Sequence, residues 1–220
     1  MEQQPISSQV KINKTQTTLT LTTTDGKLRW NDGSRERCIT IEREVLGFGI
    51  EEKEGFLVRV KALVEKESGS CIIRGGGIDK GGGKGIRKRE DFLFQFFDED
   101  SFKIFCQKFR EFLDSLDRPK RLLVIVNPFG GKRIALKIYN DEVKPLLDAA
   151  DIEYTMQETQ YQLHAKEIVR SLDLSRYDGV VCVSGDGILV EVVNGLLERK
   201  DWDTAIKMPL GIVLAGLLLY

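Results

Sequence analysis

The second half of the chain alternates between short apolar runs and stretches with helical spacing, and no other feature restricts the fold as strongly. Three segments are continuous apolar runs, Leu122–Val126, Val180–Val183 and Leu210–Leu214, and in a fourth strand-like segment Ile152, Tyr154 and Met156 alternate with polar residues. Apolar runs without polar alternation are typical of parallel strands that are buried on both faces. We therefore expect residues 118–220 to form an α/β domain, with a parallel sheet and helices on both of its faces.

Helical spacing of apolar residues predicts a helix after each of the first three strands. The first helix is expected over about Lys132–Leu147, with a bend at Pro145, because proline cannot donate the hydrogen bond of a helix interior. The second carries its apolar residues within Ala165–Leu172, and the third spans about residues 187–198. The pair Arg118-Pro119 marks the start of the domain, since the residue before a proline resists a helical conformation.

Residues 1–117 show a different pattern, in which short alternating segments are followed by one helix. The strand-like segments are Leu19–Thr22, Leu28–Trp30, Cys38–Ile41, Val45–Ile50, Phe56–Val60, Cys71–Ile73 and Phe92–Phe96. Gly75–Gly85 contains seven glycines and is predicted to be a flexible loop. Phenylalanines at helical spacing predict a helix over Asp100–Leu116. We expect a small β-barrel closed by a C-terminal helix, an outline that is similar to a pleckstrin-homology domain.

Composition excludes several classes of protein. Lys and Arg number 33 against 34 Asp and Glu, a net charge of −1, so we expect no nucleic-acid partner. The four cysteines lack the C-x-x-C spacing of zinc and redox motifs and are too few for a disulfide framework, which predicts reduced thiols. No secretory signal is visible, and the apolar run Met208–Tyr220 is shorter than the about 20 residues of a membrane span. We expect a cytoplasmic protein with peripheral membrane contact and leave the oligomeric state open.

Three glycine-containing loops follow strands of the predicted sheet. They are Asn127–Lys132, Ser184–Gly187 and Ala215–Gly216. The carboxyl ends of parallel strands share one edge, so these loops should lie together, where open α/β sheets bind ligands. Glycine turns that lead into helices offer backbone N–H groups to a phosphate, although glycine that only permits tight turns is the alternative. The P-loop and dinucleotide patterns are absent, so a nucleotide site here belongs to another class.

Three motifs resemble the diacylglycerol-kinase-type catalytic domain of lipid kinases. They are Asn127-Pro128 with Gly130-Gly131, Ser184-Gly185-Asp186-Gly187, and the run EVVNGLLER at Glu191–Arg199. Within that family Ser184 is typical of sphingosine kinases, since diacylglycerol kinases more often have Gly-Gly-Asp-Gly-Thr. The stretch from Asp201-Trp202 to Val213 is similar to plant-type long-chain-base kinases. The resemblance covers about Leu122–Gly216.

The resemblance implies an α/β nucleotide-binding domain of an ATP- and Mg²⁺-dependent kinase that phosphorylates the primary hydroxyl of a sphingoid base. It implies that Asp186 is the general base toward the lipid hydroxyl. The substrate-binding residues that it implies are Ser184, Gly185, Asp186 and Gly187. The nucleotide-binding residues that it implies are Asn127, Pro128, Phe129, Thr159, Gln160, Tyr161, Gln162, Leu163, Glu191 and Gly216. It implies no set of metal ligands from the protein.

Simpler interpretations stay open for several of these residues. Asp186 also suits the cap of a helix over residues 187–198, and Glu191 also suits a solvated helix face. His164 follows the segment Thr159–Leu163, has no second histidine with which to bind a metal, and is interpreted as a surface or packing residue. A basic cluster suits either anionic lipid headgroups or a solvated loop, and consists of Lys80, Lys84, Arg87, Lys88 and Arg89.

The sequence departs from the family pattern at its end. Where the family continues as Pro-Ala-Gly-Thr-Gly-Asn, this chain reads Leu214-Ala215-Gly216 and then Leu217–Tyr220. We therefore expect a C-terminally truncated catalytic domain, without the Thr-Gly-Asn nucleotide loop and without the lobe that encloses the lipid. Two alternative functions follow: a non-catalytic fragment that binds membranes or partners, and a relative of diacylglycerol or ceramide kinases.

Overall fold

The computed structural model describes residues 5–51, 55–65, 87–130 and 133–215, with Asp186 described by its backbone alone. The chain divides into two compact units, residues 1–117 and residues 118–220. The predicted strand Cys71–Ile73 and the glycine loop Gly75–Gly85 lie outside the described residues.

The first unit contains an antiparallel sheet of seven strands. They are β1 (Ile6–Ile12), β2 (Thr15–Thr22), β3 (Lys27–Asn31), β4 (Glu36–Thr40), β5 (Val45–Glu51), β6 (Leu57–Glu65) and β7 (Arg87–Phe96). Their order in the sheet is β4-β3-β2-β1-β7-β6-β5. Alternate side chains face a common apolar core, in which Leu19, Leu28 and Phe94 are fully buried. The alternating sequence pattern thus becomes a sheet with one buried face.

The described residues of this unit include two helices. The short α1 (Ile41–Glu44) follows β4, so Ile41 lies in a helical turn and not in the predicted strand. The predicted long helix is α2 (Glu99–Asp114), and the carboxylate of Asp98 caps it by accepting a hydrogen bond from the Ser101 N–H at 2.7 Å. Phe105 and Phe109 are fully buried and attach α2 to the core of the sheet.

The second unit is built on a parallel sheet of four strands, which confirms the predicted architecture. The strands are β8 (Arg121–Val126), β9 (Glu153–Glu158), β10 (Gly179–Ser184) and β11 (Leu210–Leu214), in the order β11-β10-β8-β9. All neighbouring pairs are parallel. The first and third strands along the chain are therefore neighbours, and the direction of winding reverses between β8 and β10. Such a reversal is the topological switch point at which open α/β sheets bind ligands.

Helices cover both faces of this sheet. One face packs against α5 (His164–Ser171), α6 (Asp186–Leu197) and α7 (Trp202–Ala205), and includes the buried Cys182 of β10. The other face packs against the segment that follows β8, including the buried Tyr139. In the part of the chain that the structure describes, no helix is long and apolar enough to cross a bilayer.

The helical segment after β8 differs from the prediction of one bent helix over residues 132–147. The structure has α3 (Ala135–Ile138), a π-helical turn at Tyr139–Val143 and α4 (Lys144–Ala149). Arg133 has a φ of 65°, a left-handed conformation that does not belong to a helix, and α3 begins just after it. Pro145 cannot donate to the carbonyl of residue 141, and the wider π-turn before it accommodates the missing hydrogen bond.

Candidate functional site

Two of the predicted loops leave the sheet at the switch point. The loop that begins at Asn127 follows β8, and the turn at Gly185 follows β10, the neighbouring strand. The Asn127 N–H donates to the carbonyl of Val183 at 3.2 Å, which extends the contact between the two strands beyond the end of β8. The two loops therefore start side by side at the carboxyl edge of the sheet.

The loop after β8 is held in a compact turn by its first residue. The Asn127 side-chain oxygen accepts a hydrogen bond from the Phe129 N–H at 3.0 Å, and the Asn127 carbonyl accepts one from the Gly130 N–H at 3.0 Å. This Asx-turn leaves the Phe129 ring 66% exposed, although it is a large apolar side chain. The exposed ring beside the switch point is available to a flat apolar group of a ligand.

Gly130 lies so close to Ser184 of β10 that a side chain here would force a rearrangement. A Cβ atom at this position would lie 2.5 Å from the Ser184 hydroxyl oxygen and 3.2 Å from the Asn127 amide nitrogen. Ser184 itself is buried, with 2% of its surface exposed. The first predicted phosphate loop and the Ser184-Gly185-Asp186-Gly187 motif therefore meet in space.

The turn after β10 leads directly into α6. Gly185 occupies the N-cap position and has no side chain with which to cap the helix. Asp186 is the first helical residue, so the helix spans residues 186–197, one position earlier at each end than the expected 187–198. A Cβ on Gly185 or Gly187 would meet no atom within 4 Å. The start of this twelve-residue helix therefore has open space beside both glycines, and the N-terminus of a helix suits an anion.

Glu191 lies one turn further along α6. One oxygen of its carboxylate is buried and has no hydrogen-bond partner among the described residues. This position does not fit the solvated helix face that is one interpretation of the sequence. An unpaired buried carboxylate oxygen is costly, and such groups are frequent where a ligand or ion completes the site.

The loop after β9 is the second predicted nucleotide segment. The Thr159 N–H donates to the carbonyl of Val126, at the end of β8, at 2.9 Å, and Thr159 is buried. The Gln160 N–H donates to Nδ1 of His164 at 3.1 Å. The Tyr161 ring stacks on the His164 ring with centroids 4.6 Å apart. These contacts join the segment Thr159–Leu163 to the end of β8 on one side and to the start of α5 on the other.

The end of β11 reaches the same edge. The Ala215 N–H donates to the carbonyl of Ser184 at 2.9 Å, and Ala215 is buried. Gly216, the last of the predicted nucleotide-binding residues, lies outside the described residues, as do Gly131 and Lys132 of the first loop. The structure thus brings together, at one edge of the sheet, the backbone of every predicted site segment that it describes.

Two residues that support this edge are part of the Glu191–Arg199 motif, but the sequence does not indicate their roles. Gly195 is the point of closest approach between α5 and α6, because a Cβ there would lie 2.5 Å from the carbonyl oxygen of Lys166. Arg199 donates to the carbonyls of Val169 and Leu172, both at 2.8 Å, at the end of α5. The motif therefore holds α5 against α6 and also contributes Glu191 to the candidate site.

The two buried cysteines are poor nucleophiles. Burial raises the pKa of Cys106 and of Cys182 to about 11, so neither is a thiolate at neutral pH. Across residues 5–51, 55–65, 87–130 and 133–215, no three His, Cys, Asp or Glu side chains are grouped so that they could hold a metal ion. The features of this edge are the open start of α6, a glycine-flanked acid and a buried carboxylate oxygen. They belong to an open parallel α/β domain with glycine-containing loops at its switch point.

Comparison with known proteins shows which family this α/β domain resembles. Residues 121–217 match the model of the diacylglycerol kinase catalytic domain. The chain is 55% identical over 211 residues to Sphingosine kinase 1 of Arabidopsis thaliana, which covers 96% of this chain and 41% of that protein. It is 54% identical to Sphingosine kinase 2 of the same plant, over 90% of this chain and 38% of that protein. A solved structure from Bacillus anthracis str. Sterne, described as a candidate diacylglycerol kinase, is similar over 44% of this chain and 31% of its own, with 26% identity and a TM-score of 0.37.

The predicted resemblance is confirmed. The second unit carries the sequence of a diacylglycerol kinase catalytic domain, and nearly the whole chain is similar to plant sphingosine kinases. The chain spans about two fifths of the length of these relatives, 41% of one and 38% of the other.

Proposed function

We propose that residues 118–220 supply the nucleotide-binding edge of an ATP-dependent lipid kinase that phosphorylates the primary hydroxyl of a sphingoid base. The observation that carries the proposal is the identity of 55% and 54% to two plant sphingosine kinases over 96% and 90% of the chain. The geometry supports it, because the loop that begins at Asn127 and the turn at Gly185 meet at the switch point between β8 and β10, where open α/β sheets bind ligands.

Catalysis of phosphoryl transfer depends mainly on position and charge. In this proposal the N–H groups at the start of α6 bind the phosphates, and Asn127–Phe129 and Thr159–Leu163 hold the rest of the nucleotide. Asp186, the first residue of α6, accepts the proton of the lipid hydroxyl as the general base. Ser184, Gly185 and Gly187 surround the place where that hydroxyl meets the γ-phosphate.

Magnesium fits such an edge if the nucleotide supplies most of its ligands. Mg²⁺ at kinase sites is usually bound through one or two carboxylates together with substrate phosphates and water. Glu191, with its unpartnered buried oxygen, is the described carboxylate that would hold the ion. When bound, the ion neutralises charge on the phosphate oxygens.

The general-base assignment is tested on a longer form of this protein that phosphorylates sphingosine with ATP and magnesium. We expect Asp186→Asn to lower phosphate transfer by about 10²–10⁴-fold. ATP affinity in calorimetry is expected to stay within a few fold, because the asparagine keeps the shape of the side chain. Asp203→Asn, at an exposed acid on α7, is the matched control and should keep full transfer. Transfer that is equal in the Asp186 variant and the control contradicts the assignment.

For residues 1–117 we propose a pleckstrin-homology-like domain in a cytoplasmic protein with peripheral contact to anionic membranes. Seven antiparallel strands followed by one long helix support this proposal. Arg87, Lys88 and Arg89 are exposed at the start of β7, but Arg87 pairs with Glu65 and Arg89 with Asp91, both at 3.8 Å. Lys88 is therefore the better choice for a test.

The membrane proposal is tested by sedimentation with phosphatidylserine vesicles. We expect binding that weakens with salt, since exposed charges are screened. Lys88→Glu should reduce it, whereas Lys137→Glu, an exposed lysine on α3, should not. Equal binding of the two variants refutes the assigned surface.

A further inference from the structure

Two side chains of α5 hold the ring of Tyr161 in place. The Tyr161 hydroxyl donates to the Glu167 carboxylate at 2.6 Å, and the ring stacks on the His164 imidazole, with centroids 4.6 Å apart and 26° between the planes. The hydrogen bond to Glu167 raises the pKa of Tyr161, so the phenol stays protonated and remains a donor at neutral pH. The ring is thus fixed at its hydroxyl and along one face.

The His164 ring that supports Tyr161 is itself fixed. Nδ1 of His164 accepts the Gln160 N–H at 3.1 Å, and the His164 N–H donates to the carbonyl of Tyr161 at 3.2 Å. The imidazole therefore cannot turn away from the tyrosine without losing a backbone hydrogen bond. A ring that is held in this way loses little further conformational freedom when a ligand stacks on it.

Much of Tyr161 is nevertheless open to solvent. The residue is 53% exposed, although the imidazole covers one face of its ring and Glu167 occupies its hydroxyl proton. The exposed surface therefore includes the opposite face of the ring. A rigid, exposed aromatic face is a surface on which a planar group can stack.

Tyr161 lies at a suitable distance from the start of α6 for the base of a nucleotide. It follows Thr159 by two residues, and the Thr159 N–H donates to the carbonyl of Val126 at the end of β8. Because β9 and β10 lie on either side of β8, their ends are about 10 Å apart, which is two strand spacings. A nucleoside triphosphate can cover this distance, with its phosphates at the start of α6 and its base at the segment after β9.

We propose that the free face of the Tyr161 ring stacks on the base of the nucleotide, and that Glu167 is a positioning residue that holds the ring for this contact. The inference rests on the proposed function, because it deepens the assignment of this edge to ATP. Every nucleobase has a π face, so the ring supplies affinity for a base and does not discriminate between bases. Glu167 lies outside the set of predicted site residues.

The stacking is tested by calorimetry on the 220-residue protein with ATP and with inorganic triphosphate, which lacks the base. Tyr161→Leu should weaken binding of ATP by about 5-fold to 100-fold, the range for stacking of a base on an aromatic ring, and leave binding of triphosphate unchanged. Trp202→Leu is the matched control, since Trp202 is 52% exposed on α7, and it should change neither affinity. An equal loss of both ligands in Tyr161→Leu, or no loss of ATP, overturns the inference.

The role of Glu167 is tested by variants that keep or remove the hydrogen bond. Glu167→Gln retains an oxygen that accepts the Tyr161 hydroxyl and should keep the affinity for ATP, whereas Glu167→Leu should lower it by about 2-fold to 10-fold. Tyr161→Phe loses the same hydrogen bond, so adding Glu167→Leu to Tyr161→Phe should have no further effect. Additive losses in the double variant overturn the positioning role.

Adenosine, which has the base without the phosphates, separates this inference from the proposed function. Its binding is followed by the line widths of the adenine protons in NMR. If adenosine binds through Tyr161 but triphosphate does not bind, the stacking is supported and the phosphate site of the proposed function fails. If triphosphate binds but Tyr161→Leu alters binding of neither ATP nor adenosine, the stacking is overturned and the proposed function stands. Failure of all three ligands to bind overturns both.

Discussion

Replacing Gly195 by alanine should destabilise the second unit, although alanine is the better helix former. The change gains about 1 kcal/mol of helix propensity. The added Cβ would lie 2.4 Å from Val169 Cγ2 and 2.5 Å from the Lys166 carbonyl oxygen. The first contact can relax by a side-chain movement, but the second is to backbone and requires α5 and α6 to separate. Overpacking of this kind costs about 1–3 kcal/mol, so after the gain in helix propensity we expect a net loss of up to about 2 kcal/mol.

A matched control lies on the same helix. Gly187 is also in α6, and a Cβ there would meet no atom within 4 Å, so Gly187→Ala should be neutral or stabilising by up to about 1 kcal/mol. Stability of the second unit alone is measured in urea by pulsed alkylation of Cys182, which is fully buried in β10. If Gly195→Ala is as stable as Gly187→Ala, the close approach of the two helices is refuted.

Three further perturbations test the candidate edge and its support. Gly130→Ala should weaken ATP binding in calorimetry, because its Cβ would lie 2.5 Å from the Ser184 hydroxyl; adding Ser184→Ala, which removes that oxygen, should recover part of the lost affinity, and no recovery argues against a steric cause. Arg199→Lys should cost about 1–3 kcal/mol in urea unfolding, since lysine cannot bond two α5 carbonyls and also pair with Asp201; a neutral effect contradicts this. Two backbone N–H groups at the entry to β8 lower the pKa of Asp178. Its stabilisation is therefore present above the unfolded pKa of about 3.9 and lost as pH falls through the folded value. In Asp178→Asn the free energy of unfolding should therefore fall less steeply at acidic pH than in the wild type. An unchanged pH dependence would argue against this stabilising role of the Asp178 carboxylate.

Much of the second unit follows from local sequence. Runs such as Leu122–Val126 are continuous because both faces of β8 are buried, and that burial makes the strand and its parallel neighbours predictable. The loops after such strands share an edge by topology, so Asn127 and Gly185 are brought together without any knowledge of side-chain contacts. In the first unit β1 is not predicted, because the side chains that it turns toward the core include the buried Ser8 among apolar residues.

What the sequence does not predict depends on contacts between distant elements. The π-turn at Tyr139–Val143 is a response to Pro145, which by itself indicates only a bend. Gly195 sits inside a helical pattern, where glycine is merely unfavourable, until α5 is seen against it. His164 looks like a packing residue because the hydrogen bond from Gln160 depends on the turn between them. Each of these three features depends on a contact with a residue that the periodicity of the sequence does not identify.

The two helices of this unit connect packing with the candidate site. The twelve residues of α6 extend about 18 Å, from Asp186 at the sheet edge to the contacts of Gly195 and the following loop with α5. α5 begins at His164, directly after the proposed nucleotide segment. The first residues of α5 and of α6 both lie at the edge of the sheet that holds the candidate site. The distance between the two helices at Gly195 therefore sets the distance between the site residues that they carry. Gly195→Ala should therefore lower ATP affinity in a protein that is still folded, although the residue is remote from the edge. If stability falls while affinity is unchanged, the edge is positioned by the sheet alone, and the helix contact serves only the core.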